Sequence, residues 1–210
     1  MIDDALYQKY MKALLAGNRS ECVDIVQTLL DGKIGLQTLY RDLFHRSMYQ
    51  VGELWETNRI SVAREHLATA TTESLLNLAY PHIFSSERKG KKALISCSVN
   101  EYHQIGGKMV ADIFEMYGWD SRFLGANSST ESILKLIDEE KPDIVGLSLS
   151  ILSNIDHLVR GIESVRADFP RTDLLVGGQA FRWGGVEMIN KYPETEYVPS
   201  LDSLEKLLGQ

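Results

Sequence analysis

The sequence contains few cysteines and no long apolar run, and these absences exclude several classes of protein. Its two cysteines, Cys22 and Cys97, lie far apart and form no CxxC pair, which argues against a disulfide framework or a zinc site. No apolar stretch reaches the roughly 18 residues that a membrane span needs. The first ten residues, MIDDALYQKY, are acidic and lack the apolar core of a signal peptide. A cytoplasmic protein is therefore expected.

Positive charge is also scarce. The formal net charge is −7, and the basic runs are short, as in RKGKK at 88–92. A protein that binds nucleic acid directly needs a basic stripe on its surface, and none is found here. The basic run is best explained as part of a solvated linker, and no direct nucleic-acid partner or membrane partner is expected.

Several nucleotide-binding and catalytic motifs are missing as well. The chain has neither a GxGxxG fingerprint, nor a Walker P-loop, nor a GxSxG elbow. A phosphoacceptor receiver domain needs several acidic residues at the end of its first strand and a lysine late in the sheet, and Glu101 alone does not supply these. No residue is assigned as a general acid, base or nucleophile, so catalysis by the chain alone is not expected.

Hydrophobic periodicity divides the chain into two domains. Residues 1–84 contain four segments with helical spacing of apolar residues, which predicts an antiparallel four-helix bundle. Expected helix boundaries are Gly17 and Gly32 as stops, Asn18 or Ser20 as the cap of the second helix and Ser61 as the cap of the fourth. The polar segment 85–92, SSERKGKK, is expected to be a linker.

Residues 93–210 show a different pattern, in which short β-rich runs alternate with helical ones. The runs ALISCSV, SRFLG, DIVGLSLS and DLLVGG are each followed by a helical segment. This alternation predicts βαβ units and a parallel sheet. The fold class is therefore α/β, with a helical bundle followed by a flavodoxin-like (Rossmann-like) domain that is expected to have a five-stranded parallel sheet.

Ligands of such sheets bind at the carboxyl ends of the strands. Polar or glycine-rich features follow three of the predicted strands, namely Glu101, His103 and Gly106, then Ser148 and Ser150, then Gly177 and Gly178. A lone loop histidine is more often solvated or capping than a ligand. One histidine cannot make a zinc site, but it can be the axial ligand of a metal that a macrocycle already holds. A neighbouring carboxylate such as Glu101 would then orient the imidazole.

The spacing Glu101-x-His103-x-x-Gly106, then Ser148, then Gly177-Gly178 resembles the D-x-H-x-x-G, S-x-L and G-G signature of base-off, His-on cobalamin-binding domains. The helical bundle resembles the cap of methionine synthase-type modules. The resemblance implies a cobalamin cofactor with His103 as lower axial ligand of cobalt, oriented by Glu101. It also implies that Ser148, or Ser150 in an alternative register, contacts the nucleotide tail, and that Gly177 and Gly178 leave room for it.

A second pattern lies in the helical bundle. Trp55, nine further residues and then Glu65-His66 resemble the cap of light-sensing regulators that bind adenosylcobalamin, in which these positions shape the pocket of the adenosyl group. The best-known members carry a histidine directly after the tryptophan, where this chain has Glu56. Taken singly, Trp55 suits a bundle core and Glu65-His66 a helix surface. The usual DNA-binding module is absent, so a sensor would act through a protein partner or a change of oligomer.

Three hypotheses follow. The first is an adenosylcobalamin-dependent photoreceptor or signalling module with a transcriptional regulator as partner. The second is a corrinoid carrier that shuttles methyl groups between methyltransferases, with methylcobalamin as its loaded form. The third is a receiver-like α/β domain with a helical dimerisation module and no cofactor. Self-association is a reasonable expectation for the first.

Overall fold

The computed structural model describes residues 2–85 and 87–209. It forms two compact units, Met1–Phe84 and Ser85–Gln210. Three residues of the predicted domains and linker, Met1, Ser86 and Gln210, lie outside the described residues. Within the described ranges, no helix combines the length and apolarity that crossing a membrane requires.

The N-terminal unit is entirely helical, as predicted. Its segments are α1 (Asp4–Ala16), α2 (Arg19–Asp31), α3 (Leu36–Leu39), a π-helical stretch (Tyr40–His45), α4 (Arg46–Glu56), α5 (Val62–Ala79) and a 3-10 stretch (Tyr80–Ser85). The third predicted helix is one continuous rod, because α3, the π-helical stretch and α4 follow each other without a break. The wider turn of the π-helix was not expected from the apolar pattern, since periodicity does not distinguish one inserted residue from ordinary helix.

The helix ends follow the predicted capping chemistry. Asn18, rather than Ser20, accepts the N–H of Glu21 at the start of α2, and Ser61 accepts the N–H of Arg64 at the start of α5. Gly17 ends α1 with a φ of 74°, a left-handed conformation that glycine adopts without steric cost. These caps satisfy backbone groups that the helices themselves leave unpaired.

Aromatic side chains fill the interior of the helical unit. The largest side chains that solvent does not reach there include Tyr7, Tyr10, Tyr40 and Phe44. Tyr40 and Phe44 meet edge to face with their ring centroids 5.7 Å apart. Large rigid rings supply much apolar burial per ordered side chain, which explains how a short bundle acquires a core.

The second unit is a parallel five-stranded sheet with order β2-β1-β3-β4-β5. The strands are β1 (Lys92–Cys97), β2 (Asp120–Phe123), β3 (Ile144–Ser148), β4 (Asp173–Gly177) and β5 (Thr195–Tyr197). The helices are α6 (Ile105–Met116), α7 (Thr130–Glu140), α8 (Ile155–Asp168), α9 (Val186–Ile189) and α10 (Leu201–Leu208). The predicted fold class and the flavodoxin-like strand order are confirmed.

The strand register brings three strand ends level. Cys97 is opposite Ser148 across β1 and β3, and Ser148 is opposite Gly177 across β3 and β4. The chain order reverses between β1 and β3, and a crevice opens at such a switch point in parallel sheets. The loops after these strands therefore start from one edge of the sheet.

The basic run at 88–92 is held more firmly than a solvated linker. Arg88 Nη1 donates to Glu115 Oε2 at 2.6 Å and to the carbonyl of Trp119 at 2.8 Å, and the N–H of Lys89 donates to the carbonyl of Gly118 at 2.8 Å. Lys92 already belongs to β1. Arg88 and Lys89 are exposed, as expected of a solvated segment, but acceptors of the α/β unit also bind both of them.

Candidate functional site

The buried carboxylate of Glu101 is the centre of the loop after β1. Glu101 is completely buried. Its Oε1 accepts the backbone N–H of His103 at 2.7 Å and lies 2.6 Å from His103 Nδ1. Its Oε2 accepts the N–H groups of Ser150 at 2.6 Å and of Ile151 at 3.2 Å. One side chain therefore joins the loops that follow β1 and β3.

The contact with Glu101 fixes the tautomer of His103. A carboxylate only accepts hydrogen bonds, so Nδ1 of His103 is the donor in this contact, and in the neutral ring Nε2 carries the lone pair. The side chain of His103 is 46% exposed, whereas that of Glu101 is fully buried. A buried, ionised carboxylate therefore holds an imidazole that solvent reaches. A metal-binding histidine is oriented by a carboxylate in the same way.

The charge of Glu101 is stabilised by its surroundings. Burial alone raises the pKa of the Glu101 carboxyl, but hydrogen bonds from the His103 ring and from the N–H groups of Ser150 and His103 outweigh burial and hold that pKa below its ordinary value. The side chain is therefore ionised at neutral pH, and the loop keeps its hydrogen bonds there.

Ser148 and Gly106 lie next to each other at the same edge. A Cβ placed on Gly106 would meet only the Ser148 Oγ, at 3.9 Å, within 4 Å, so packing within the described residues does not require a glycine there. Gly106 is exposed at the start of α6. Its lack of a side chain leaves space beside a serine hydroxyl at the end of β3.

Gly177 and Gly178, at the end of β4, lie close to other backbone atoms of the protein. A Cβ on Gly178 would lie 2.1 Å from the carbonyl oxygen of Leu149, and one on Gly177 would lie 2.9 Å from that of Val198. The N–H of Leu149 donates to the carbonyl of Gly177 at 3.0 Å. Close approach of the β3 and β4 ends accounts for Gly178, and close approach of the backbone after β5 accounts for Gly177. That both glycines also leave room for a ligand stays a prediction.

Sequence reasoning missed a set of asparagines at the strand ends. The N–H of Asn100 donates to Asn127 Oδ1 at 2.9 Å, its carbonyl accepts from Asn154 Nδ2 at 3.1 Å, and its side-chain amide lies 3.0 Å from His157 Nε2. Arg160 in turn contacts the other ring nitrogen of His157 at 2.9 Å. A signal was available, since asparagines at 100, 127 and 154 each follow one of the first three strands.

The residues predicted in the helical unit belong to two of its helices. Trp55 is half-buried in the last turn of α4, and Glu56, next to it, is exposed. Glu65 Oε2 lies 2.6 Å from His66 Nδ1, and Glu65 Oε1 accepts the hydroxyl of Thr69 at 2.7 Å. Glu65 is thus held in place, while the His66 side chain is 72% exposed.

Other potential ligands contribute little. Among the side chains of residues 2–84 and 87–209, no group of three or more His, Cys, Asp or Glu is arranged to hold a metal ion. Cys97, at the end of β1, is buried, and burial together with the neighbouring Glu101 raises the pKa of its thiol to about 12. Trp183, in the segment after β4, is 61% exposed.

Two family models match the chain, both described as a B12 binding domain. One matches residues 91–198, which is just over half of the chain, and the other matches residues 6–80. The first range contains the loops after β1, β3 and β4. The second contains the Trp55 and Glu65-His66 pattern.

Two curated proteins of Myxococcus xanthus are similar in sequence. The HTH-type transcriptional repressor CarA is 34% identical over 91 residues, which are 43% of this chain and 31% of the repressor. The HTH-type transcriptional repressor CarH is 28% identical over 134 residues, which are 63% of this chain and 44% of the repressor. The chain thus matches less than half of the length of either protein.

Two solved structures share the fold. The monomethylamine corrinoid protein of Methanosarcina barkeri superposes with a TM-score of 0.85 and 12% identity over 98% of both chains. A chain of the methanol:cobalamin methyltransferase complex MtaBC from the same organism gives a TM-score of 0.52 and 14% identity, covering 99% of this chain and 81% of the other. At these identities, the similarity concerns the fold alone.

Proposed function

Because the chain belongs to the B12 binding domain family, we propose that this cobalamin-binding protein holds its cofactor through His103 and works as an adenosylcobalamin-dependent light-sensing or signalling module. The first part of this proposal concerns the α/β unit and its ligand. The second concerns the helical unit and the partner.

The Glu101–His103 pair is the observation that supports cobalamin binding through His103. An ionised, fully buried carboxylate holds Nδ1 of a half-exposed imidazole at 2.6 Å, which raises the basicity of Nε2 and fixes the direction of its lone pair. A single imidazole of this kind suits a metal whose equatorial positions a macrocycle fills. Adenosylcobalamin supplies such a cobalt ion and a cobalt–carbon bond that light cleaves.

The neighbouring residues fit the rest of the cofactor. Gly106 keeps space beside the hydroxyl of Ser148, which suits the nucleotide tail of cobalamin. Ser150 is engaged through its N–H with Glu101, so we assign it to holding Glu101 and assign the tail contact to Ser148. Gly178 supports this arrangement by letting the β3 and β4 ends approach each other, and Gly177 lets the backbone of Val198 approach the end of β4.

The helical unit supports the sensory role. It carries the Trp55 and Glu65-His66 pattern that resembles the light-sensing regulators, and Glu65 is fixed by Thr69 as a positioned carboxylate. Both similar curated proteins are named as transcriptional repressors. We propose that this chain signals through a protein partner, such as a transcriptional regulator, or by a change of oligomer.

A corrinoid carrier is the second candidate, with methylcobalamin as its loaded form and a methyltransferase as its partner. The observation in its favour is Glu56, an exposed carboxylate at the position after Trp55 where the light-sensing regulators have a cobalt-binding histidine. A hard carboxylate oxygen is a poorer cobalt ligand than an imidazole. His66 or His45 would have to take that role in a sensor.

Absorption spectroscopy tests whether the protein binds cobalamin through His103. Protein is loaded with adenosylcobalamin in the dark and freed of excess ligand. Retained colour with the spectrum of histidine-coordinated, base-off cobalamin is expected, and His103→Ala should lose the histidine-coordinated spectrum. His82→Ala, which removes an exposed histidine of the helical unit, is the matched control and should keep it. A colourless wild-type protein after incubation with several cobalamins would overturn the proposal.

Illumination of the loaded protein separates the two functions. A sensor should convert under green light to a stable new spectrum, with a change in oligomer size by light scattering or in partner binding. A carrier should show only the slow photolysis common to alkylcobalamins and should exchange methyl groups with a methyltransferase. Glu56→His should strengthen the light-induced product if Glu56 occupies the ligand position.

A further inference from the structure

The backbone of Asn100 adopts a left-handed conformation directly before Glu101. Its φ is 62°, a region that non-glycine residues enter rarely, although asparagine tolerates it better than most. Asn127 accepts its N–H, Asn154 donates to its carbonyl and His157 contacts its side-chain amide. Two of these partners follow β3 and one follows β2, so the residue is held from both sides of β1.

His157 is fixed in one tautomer by its second partner. Arg160 Nη2 lies 2.9 Å from His157 Nδ1, and a guanidinium has donors only, so Nδ1 accepts. The ring proton therefore sits on Nε2. The Asn100 atom placed 3.0 Å from Nε2 is Nδ2, but the N and O of a terminal amide are assigned from the hydrogen-bond network, and this network assigns the oxygen to that position. The two contacts select one orientation of the Asn100 side chain out of the two that a terminal amide can adopt.

The next residue, Glu101, is also held by a hydrogen bond from a neighbouring loop. The N–H of Asn127, which itself has a φ of 47°, donates to the carbonyl of Glu101 at 2.7 Å. Asn100 and Glu101 are therefore fixed by the residues after β2 and β3 before the chain reaches His103. A displacement of Asn100 would tilt the peptide that carries Glu101 and change the direction in which the His103 ring points.

We infer that His157, supported by Arg160, is a positioning residue for cobalamin binding, which keeps the Asn100–Glu101 peptide in the orientation that presents His103 to the metal. This inference rests on the proposed role of His103. His157 itself does not touch the metal ligand and acts through Asn100. A histidine of α8 thereby influences the strength of axial ligation.

The test compares four variants of the full chain. His157→Ala removes the contact. His157→Gln replaces it, because a glutamine amide accepts from Arg160 and donates to Asn100. Asn100→Gly keeps the left-handed backbone without strain but loses the side chain that His157 holds. His82→Ala again serves as the control. Each is titrated with adenosylcobalamin in the dark, and the fraction with histidine coordination is followed spectroscopically against pH.

We expect His157→Ala and Asn100→Gly to bind cobalamin about 10-fold more weakly, the magnitude typical of residues that orient a metal ligand. The pH at which histidine coordination is half lost should rise by about one unit, since a tenfold weaker ligation equals one decade of proton competition. His157→Gln should recover most of both losses. In the free protein, hydrogen exchange of the amides at 100–103 should quicken in His157→Ala.

The outcomes separate this inference from the function on which it rests. If the wild type never retains cobalamin, the proposed function fails. If the wild type binds and His103→Ala loses coordination, but His157→Ala keeps the affinity and pH profile of the wild type, only the positioning role is overturned. Equal losses in His157→Ala and His157→Gln, with the exchange rates of 100–103 unchanged, would also overturn it.

Discussion

Glu101 Oε2 accepts the backbone N–H of Ser150 at 2.6 Å and thereby bonds two loops that are 49 residues apart in sequence. Its other oxygen holds His103. The family signature usually has aspartate here, and the additional methylene of glutamate provides the reach for both sets of donors at once. The candidate site therefore depends on the length of this side chain as well as on its charge.

Two substitutions separate length from charge. Glu101→Asp keeps the charge but shortens the side chain by one methylene, so it should hold either His103 or the Ser150 N–H and not both. Glu101→Gln keeps the length but loses the charge. Both should weaken cobalamin binding by about 10- to 100-fold, measured by dark titration. Unchanged affinity in both variants would show that Glu101 does not orient the ligand.

The charge on Glu101 should make stability depend on pH. Because the folded-state pKa of Glu101 lies below its ordinary value, its ionised form stabilises the fold above that ordinary value. The contribution is lost as pH falls through the carboxyl range toward the folded-state pKa. The difference in urea midpoint between wild type and Glu101→Gln should be largest at neutral pH and shrink in acid. A difference that stays constant with pH would contradict this account.

Gly178 and Gly184 form a matched pair for testing the close approach of strand ends. Their φ values are 118° and 124°, so alanine at either position carries the same kind of strain, about 1–3 kcal/mol. Only at Gly178 would a Cβ also meet the backbone of Leu149, at 2.1 Å. Chemical denaturation should show Gly178→Ala less stable than Gly184→Ala by about 2 kcal/mol. Equal losses would mean that the strand ends move apart easily.

Removal of the Arg88 side chain should loosen the segment that joins the two units. Arg88→Ala loses the bonds to Glu115 and to the Trp119 carbonyl. Cleavage after Lys89 and Lys91 by a lysine-specific protease should become severalfold faster, because a backbone must detach to enter the protease. Lys135→Ala, which removes an exposed ion pair with Glu139, is the control and should cleave like the wild type at this segment.

Both thiols should be unreactive in the folded protein. Burial, with smaller contributions from the neighbouring Glu21 and Glu101, raises the pKa of Cys22 to about 11 and of Cys97 to about 12. At pH 8 both remain protonated and covered, and a protonated thiol is a poor nucleophile. A disulfide reagent should label two thiols in urea and neither at a comparable rate in buffer. Fast labelling of the native protein would show that the β1 end opens.

Local chemistry explains why much of the fold was predictable. Asn18 and Ser61 cap helices through contacts three residues away, and the strands β1, β3 and β4 are buried apolar runs that periodicity detects. Five strands were predicted, but the position of β5 was not, because the run Thr195–Tyr197 is short and not strongly apolar. The site roles of Glu101, His103 and Ser148 were predicted from the resemblance of their spacing to the cobalamin-binding signature.

The remaining features depend on contacts between distant residues. The N–H groups of Ser150 and Ile151 have no sequence signature, since every residue except proline carries one. The contact of His157 with Asn100 joins residues 57 positions apart, so no local sequence pattern indicates it. The close approach of the carbonyls of Val198 and Leu149 to Gly177 and Gly178 could not be predicted either, and the ligand role of the two glycines stays a prediction. In each case the missing information was which backbone lies next to which.

Glu101 Oε2 accepts from the backbone N–H groups of Ser150 and Ile151. Because both donors belong to the main chain, they affect which substitutions the site tolerates. Substitutions at 150 and 151 change side chains but leave both N–H groups in place, unless proline is introduced. Substitutions at these positions can therefore change the surface around a ligand without weakening the hydrogen bonds that hold the loop after β1. A scan of single substitutions should therefore find Glu101 sensitive, while positions 150 and 151 tolerate every residue except proline.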